Sequence, residues 1–167
     1  MAEPAPFSVE GVQLVCGWLA GYFRTGGTVP KALTAALKHE QGTEGTTMSM
    51  LAVVTLLLEE GAGLRRVTVR RLADNMAEGA LASPALGRTP AGLNVAGVLD
   101  LAARMTETGR MSGRQVTDLV GVDPPTVLGT FFDAAVAMTR MVAEHRKETP
   151  EETLQWLALE VERTGLG

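Results

Sequence analysis

Hydrophobic positions along the chain recur at the three- and four-residue spacing of amphipathic helices, and the alternating pattern of strands is nearly absent. Capping residues precede many of these apolar runs, as they do at helix starts. The pattern therefore predicts an all-α protein, a single-domain helical bundle of about eight helices that spans residues 1–167. The predicted helices begin at Ser8, Thr28, Thr46 or Thr47, Thr68, Asn94, Ser112, Asp123 and Thr149.

The ends of these helices are less sharply marked than their starts. Residues 82–93 contain Pro and Gly and are predicted to form a loop. No internal repeat is visible in the order of the residue types. The predicted helix ends lie near Arg24, Gly42, Gly61, Leu81, Thr108 and Lys147.

The stretch Met48–Leu58 in the third predicted helix is apolar on nearly every side. A helix of this kind is buried, either at the centre of the molecule or between partners. The stretch is shorter than the ~20 residues that cross a bilayer, so we expect no membrane span.

The first and last helices carry more apolar surface than one core-facing stripe requires. In the first helix the apolar arc covers over half of the circumference and includes Val15, Trp18 and Tyr22. In the last helix, Trp156 and Leu159 lie opposite the inward stripe. Aromatic anchors are enriched at the centres of interfaces, so these five residues predict a homodimer or contact with another protein. The alternative is that the last helix is enclosed within its own monomer.

Composition and charge narrow the choice of partner. The chain is 46% hydrophobic, but only 4% aromatic, so its core is built mainly from aliphatic side chains and favours closely packed helices. A net charge of −4 provides no overall attraction to nucleic acid or anionic lipid. No signal peptide is visible, and we expect a cytoplasmic protein.

One segment, residues 112–132, has the pattern of a helix-turn-helix. Val116 lies in its first helix, and Gly121 can adopt the left-handed conformation that ends this helix. Val127 and Phe131 supply the inner face of the second helix.

Residues 121–131, Gly-Val-Asp-Pro-Pro-Thr-Val-Leu-Gly-Thr-Phe, resemble the turn and recognition helix of TetR-type repressors, in which Gly-Val-Ser-x-x-Thr-Leu-Tyr-x-x-Phe is common. The resemblance implies a DNA-binding transcriptional regulator. Its DNA contacts would come from Arg110, Arg114, Thr126 and Thr130.

The segment departs from that family in its position and in its side chains. In TetR-type proteins it lies near the N-terminus, and Leu128 here replaces the aromatic residue that often meets phosphate. The second helix, Pro124 to Asp133, has no Arg, Lys, Asn or Gln for a base edge. Nucleic acid is therefore the alternative partner and not the favoured one.

Four arginines, Arg65, Arg66, Arg70 and Arg71, form the densest positive charge of the chain. They predict an anion-binding patch, or else a solvated helix start whose charges pair with nearby carboxylates. The second interpretation is the more common outcome for such runs.

No pattern in the sequence points to catalysis or to a cofactor. Glu-x-x-His is absent, and neither His39 nor His145 has a second ligand at metal-binding spacing. Cys16 lies on the apolar face of the first helix and is expected to be inert. We expect a non-enzymatic interaction or regulatory module without metal or cofactor. A third hypothesis is a bundle that binds a small molecule near Trp18, Phe23, Met48 and Met50.

Overall fold

The computed structural model describes residues 9–26, 40–82, 90–108 and 124–164, and these contain helices and short turns but no strand. The all-α prediction is confirmed, with six helices in the described residues instead of about eight. The helix predicted from Thr28 falls mainly, and the one predicted from Ser112 wholly, outside the described residues. The six helices are α1 (Val9–Thr25), α2 (Glu40–Arg65), α3 (Val69–Ala82), α4 (Pro90–Thr108), α5 (Pro124–Arg146) and α6 (Pro150–Thr164).

Two predicted helix starts are wrong. Helix α2 begins at Glu40 and passes through Thr46 and Thr47, which were expected to cap it. Thr47 is completely buried, so packing and not capping determines the conformation at this position. Helix α4 begins at Pro90, before the expected cap at Asn94; proline suits a first helical turn because its missing N–H is not needed there.

The helices form three layers of two. Helices α2 and α5 pack against each other in the middle layer. Helices α1 and α6 cover them on one side, and α3 and α4 cover them on the other. The predicted burial of Met48–Leu58 is confirmed at the centre of the bundle, where Met50, Leu51, Leu57 and Leu58 are completely enclosed.

The apolar part of α2 is longer than the sequence analysis expected. Among the described residues, the stretch Thr46–Arg65 is long and apolar enough to cross a membrane, with a mean hydropathy of 1.4. However, 72% of it is buried inside the protein. Its position in the middle layer accounts for its apolar character.

Helices α1–α3 and α4–α6 are two equivalent halves. When the halves are exchanged, each main packed pair of described helices maps onto another packed pair: α1–α2 onto α4–α5, α2–α3 onto α5–α6, α1–α6 onto α3–α4, and α2–α4 onto the smaller α1–α5 contact. The central α2–α5 pair maps onto itself. The fold therefore has an internal repeat with approximate two-fold character.

The turns that end α2 and α5 have the same backbone geometry. Arg66 and Lys147 have φ angles of 56° and 58° and lie 81 positions apart. After Arg66, the N–H of Val67 donates a 3.0 Å hydrogen bond to the carbonyl of Ala62, and the residue after Lys147 makes the same bond at 3.0 Å. Both turns thus form a Schellman motif, which satisfies the last helical carbonyls.

The next helix of each half begins with a threonine cap. The hydroxyl of Thr68 accepts a 3.1 Å bond from the N–H of Arg71, and that of Thr149 accepts a 3.2 Å bond from the N–H of Glu152. The Glu152 carboxylate also accepts a 3.1 Å bond from the Thr149 N–H, so Thr149 and Glu152 form a capping box at the predicted start of this helix.

The repeat of helices is not accompanied by a visible repeat of residue types. Equivalent positions of the two halves are buried alike but hold different residue types. Buried Leu72 and Ala73 in α3, for example, correspond to buried Thr153 and Leu154 in α6. Because several residue types fill a buried position equally well, comparison of letters along the chain does not detect the repeat. The first helices also correspond, with Val15, Cys16 and Leu19 matching Val98, Leu99 and Ala102, all of them buried.

Candidate interaction surface

Helices α1 and α6 lie side by side, and the Nε2 of Gln13 donates a 3.1 Å hydrogen bond to the carbonyl of Ala158. Both helices bury one side against the middle layer, so their other sides point outward together. We call this outward side the α1/α6 face. Its exposed residues include Glu10, Leu14, Gly17 and Arg24 from α1, and Glu152, Gln155, Leu159, Glu162 and Arg163 from α6.

Two large apolar side chains on the α1/α6 face are open to solvent. Leu14 is 55% exposed and Leu159 is 59% exposed. Among the described residues one other large hydrophobic side chain is exposed, Leu64 at 41%, and it lies at the end of α2 in the middle layer. The α1/α6 layer therefore has two of the three exposed leucines of the described chain.

The equivalent α3/α4 layer provides an internal comparison. In the repeat, Leu14 corresponds to Gly97 and Leu159 corresponds to Glu78, and both of these residues are exposed. The fold thus places no demand for leucine at either position. The two exposed leucines therefore distinguish the α1/α6 face from the equivalent surface of the other layer.

Charged side chains cover the α3/α4 layer instead. Arg70 of α3 reaches α4, with its Nη1 2.5 Å from Asp100 Oδ1 and its Nε 2.8 Å from Glu107 Oε1. Arg104 binds the second oxygen of Asp100 at 3.0 Å. The hydrogen bonds to Glu107 and Asp100 raise the pKa of Arg70 above its ordinary value. These charged side chains on the surface of the layer therefore pair with one another within one chain.

Helix α1 has a different stripe at the equivalent positions. Gly17 and Arg24 stand where α4 has Asp100 and Glu107. An added Cβ at Gly17 or at Gly21 would have no atom within 4 Å, so the backbone is accessible at both positions. Among the described residues, neither Glu10 nor Arg24 forms an ion pair.

Of the five predicted interface residues, one is well exposed. Val15 is 1% and Trp18 8% exposed, so both are enclosed by their own chain and their prediction as contact residues is wrong. Tyr22 is half-buried and packs edge-to-face against Phe132, with ring centroids 5.2 Å apart. Only Leu159 lies open on the surface, and exposed Leu14 was missed.

Trp156, the remaining predicted interface residue, is half-buried and packs against the core of its own monomer. The guanidinium of Arg146 covers its ring, at 4.3 Å from the ring centroid. The same guanidinium binds Glu60 of α2 at 3.0 Å and Glu148 at 2.5 Å. Most of the Trp156 ring is therefore enclosed within its own monomer, as the alternative interpretation of the last helix expects.

The four arginines of the predicted anion patch are not equivalent. Arg65, Arg66 and Arg71 are exposed, whereas Arg70 is occupied by the carboxylates of α4. Arg70 is therefore removed from the patch, because an anion would have to displace two ion pairs. The expected carboxylates near in sequence contribute little: Asp74 is 3.9 Å from Arg70.

The residues predicted to contact DNA are described only in part. Arg110 and Arg114 lie outside the described residues, and Thr126 lies in α5 at a position whose side chain is not described. Thr130 is 4% exposed and faces the core, so its prediction as a base contact is wrong. The second helix of the predicted helix-turn-helix is the first part of α5, which ends at Arg146, close to the predicted end near Lys147.

The remaining candidates are Cys16, the residues of the predicted small-molecule site and the possible metal ligands. Cys16 is buried in the core, and this burial raises the pKa of its thiol to about 12, which disfavours the reactive thiolate. Trp18, Met48 and Met50 form part of the packed core. His39 lies outside the described residues. In the described parts of the chain, no group of three His, Cys, Asp or Glu residues could hold a metal ion.

No protein-family model, curated protein or solved structure matches this chain.

Proposed function

We propose that this protein is a non-catalytic helical interaction module that self-associates through the α1/α6 face. The observation that carries the proposal is the exposure of Leu14 and Leu159 on one layer, while the equivalent positions of the other layer hold Gly97 and Glu78. Because the two layers are equivalent in the repeat, the α3/α4 layer shows that the fold does not require leucine at these positions.

The expected affinity is modest. Covering a leucine that is half exposed contributes about 1 kcal/mol, and a two-fold dimer covers four such side chains. The loss of rotational and translational freedom offsets much of this gain. A micromolar Kd corresponds to about 8 kcal/mol, so the four leucines supply only part of the free energy that a micromolar dimer needs, and the rest must come from the other contacts of the α1/α6 face.

Sedimentation velocity at increasing protein concentration tests the proposal. We expect the wild type to shift from monomer to dimer, and the Leu14→Glu/Leu159→Glu variant to remain monomeric at the same concentrations. Leu64→Glu is the matched control, because it places the same charge on an exposed leucine outside the α1/α6 face. A wild type that stays monomeric at high micromolar concentration would contradict the proposal, as would equal dissociation of the control.

DNA binding through residues 112–132 remains an alternative prediction. Its test is a salt-dependent shift of duplex DNA that is lost in Arg114→Glu.

A further inference from the structure

We infer that the two copies pack α1 against α1 in an antiparallel arrangement, with Gly17 of each copy at the two-fold axis. This inference rests on the proposed self-association and adds the orientation and register of the contact.

The outward stripe of α1, made of four exposed residues and the half-buried Gly21, has the spacing of a helix–helix seam. Glu10, Leu14, Gly17, Gly21 and Arg24 are separated in turn by four, three, four and three positions. This spacing keeps side chains on one side of a helix that packs along a neighbouring helix. At 1.5 Å per residue the stripe extends about 21 Å, which is enough for a short interface helix.

The charges of the stripe favour one orientation of the second copy. Gly17 lies midway between Glu10 and Arg24 in the sequence. Antiparallel packing about Gly17 therefore places Glu10 of each copy beside Arg24 of the partner copy, at both ends of the contact. A parallel pair would instead place Glu10 beside Glu10 and Arg24 beside Arg24, which is unfavourable.

The shape of the stripe fits the same register. Leu14 of one copy would lie opposite Ala20 of the other, between Gly17 and Gly21, where an added Cβ on either glycine would meet no atom within 4 Å. Small residues at a helix contact allow the close end of the usual 8–10 Å interaxial range. Helix α4 cannot pack in this way, because its equivalent positions carry Asp100 and Glu107 in ion pairs with Arg70.

Charge reversal tests the pairing of Glu10 with Arg24. Glu10→Arg alone and Arg24→Glu alone should each raise the dimer Kd by about tenfold, since each change puts two repulsive pairs in the dimer. The double variant Glu10→Arg/Arg24→Glu should recover to within about threefold of the wild type. Failure of the double variant to recover would overturn the register.

Disulfide cross-linking tests the position of the axis. In a Cys16→Ser background, Gly17→Cys should form a covalent dimer under mild oxidation, because only residues at the axis meet their own copies at disulfide distance. Gly97→Cys, an exposed glycine on α4, should remain monomeric and is the control. A dimer that depends on Leu14 but shows neither cross-link nor charge recovery would reject this register and leave the proposed function standing. A monomeric wild type would reject both.

Discussion

At the scale of single residues, the two junction turns hold side-chain-bearing residues in a conformation that favours glycine. Arg66 and Lys147 have positive φ angles, where the Cβ approaches the following carbonyl. Gly26 takes the same region after α1, with a φ of 76°. The chain thus uses glycine at one helix end and tolerates strain at two others.

Replacing Arg66 or Lys147 by glycine should increase the free energy of unfolding by about 0.5–1 kcal/mol each. The physical reason is relief of the left-handed strain, and urea unfolding measures it. Gly26→Ala should have the opposite sign, with a loss of about 1 kcal/mol. Unchanged midpoints for both glycine variants would show that the turns carry no strain.

At the scale of helices, the guanidinium of Arg146 contacts side chains from two other helices. Arg146 at the end of α5 binds Glu60 of α2, binds Glu148 in the turn, and covers Trp156 of α6. The existence of these helices could be predicted from periodicity, and the caps at Thr68 and Thr149 from local residue types. The partners of Arg70 and Arg146 could not be predicted, because the carboxylates come from helices distant in sequence.

Arg146→Ala should lower the free energy of unfolding by about 2 kcal/mol, since it leaves two half-buried carboxylates without their partner and uncovers an indole ring. Arg65 is the equivalent residue in the first half and is exposed. Arg65→Ala should therefore change stability by less than about 0.5 kcal/mol. Chemical denaturation of the two variants compares them directly, and similar losses would argue against the junction as a stabilising element.

The same junction predicts a dependence on pH. Burial would raise the pKa of Glu148, but hydrogen bonds from Arg146 and Thr153 outweigh it and hold this pKa below the ordinary 4.5. The stabilisation is therefore fully present above pH 4.5 and is lost as the pH falls through the lower pKa of the folded state. Glu148→Gln should flatten the stability curve on this acidic side. An unchanged slope would contradict the assignment to Glu148.

At the scale of the whole molecule, the residues of the α1/α6 face could not be identified from the hydrophobic pattern alone. The first helix has an apolar arc of over half its circumference, and a helical wheel does not say which part of such an arc faces the core. Val15 and Trp18 were therefore predicted as contacts although the middle layer and its neighbours enclose them. The exposed Leu14 becomes recognisable only through its counterpart Gly97, and that comparison requires the three-dimensional repeat.

In the proposed self-association, the ion pairs on the α3/α4 layer limit the number of partners that one molecule can hold. A repeated fold with the same contact surface on both halves would have a valency of two, and its copies could link into open-ended chains. Arg70 instead pairs with Asp100 and Glu107 across the α3/α4 layer. The proposed contact through the α1/α6 face alone would therefore have a valency of one, and assembly would stop at a pair.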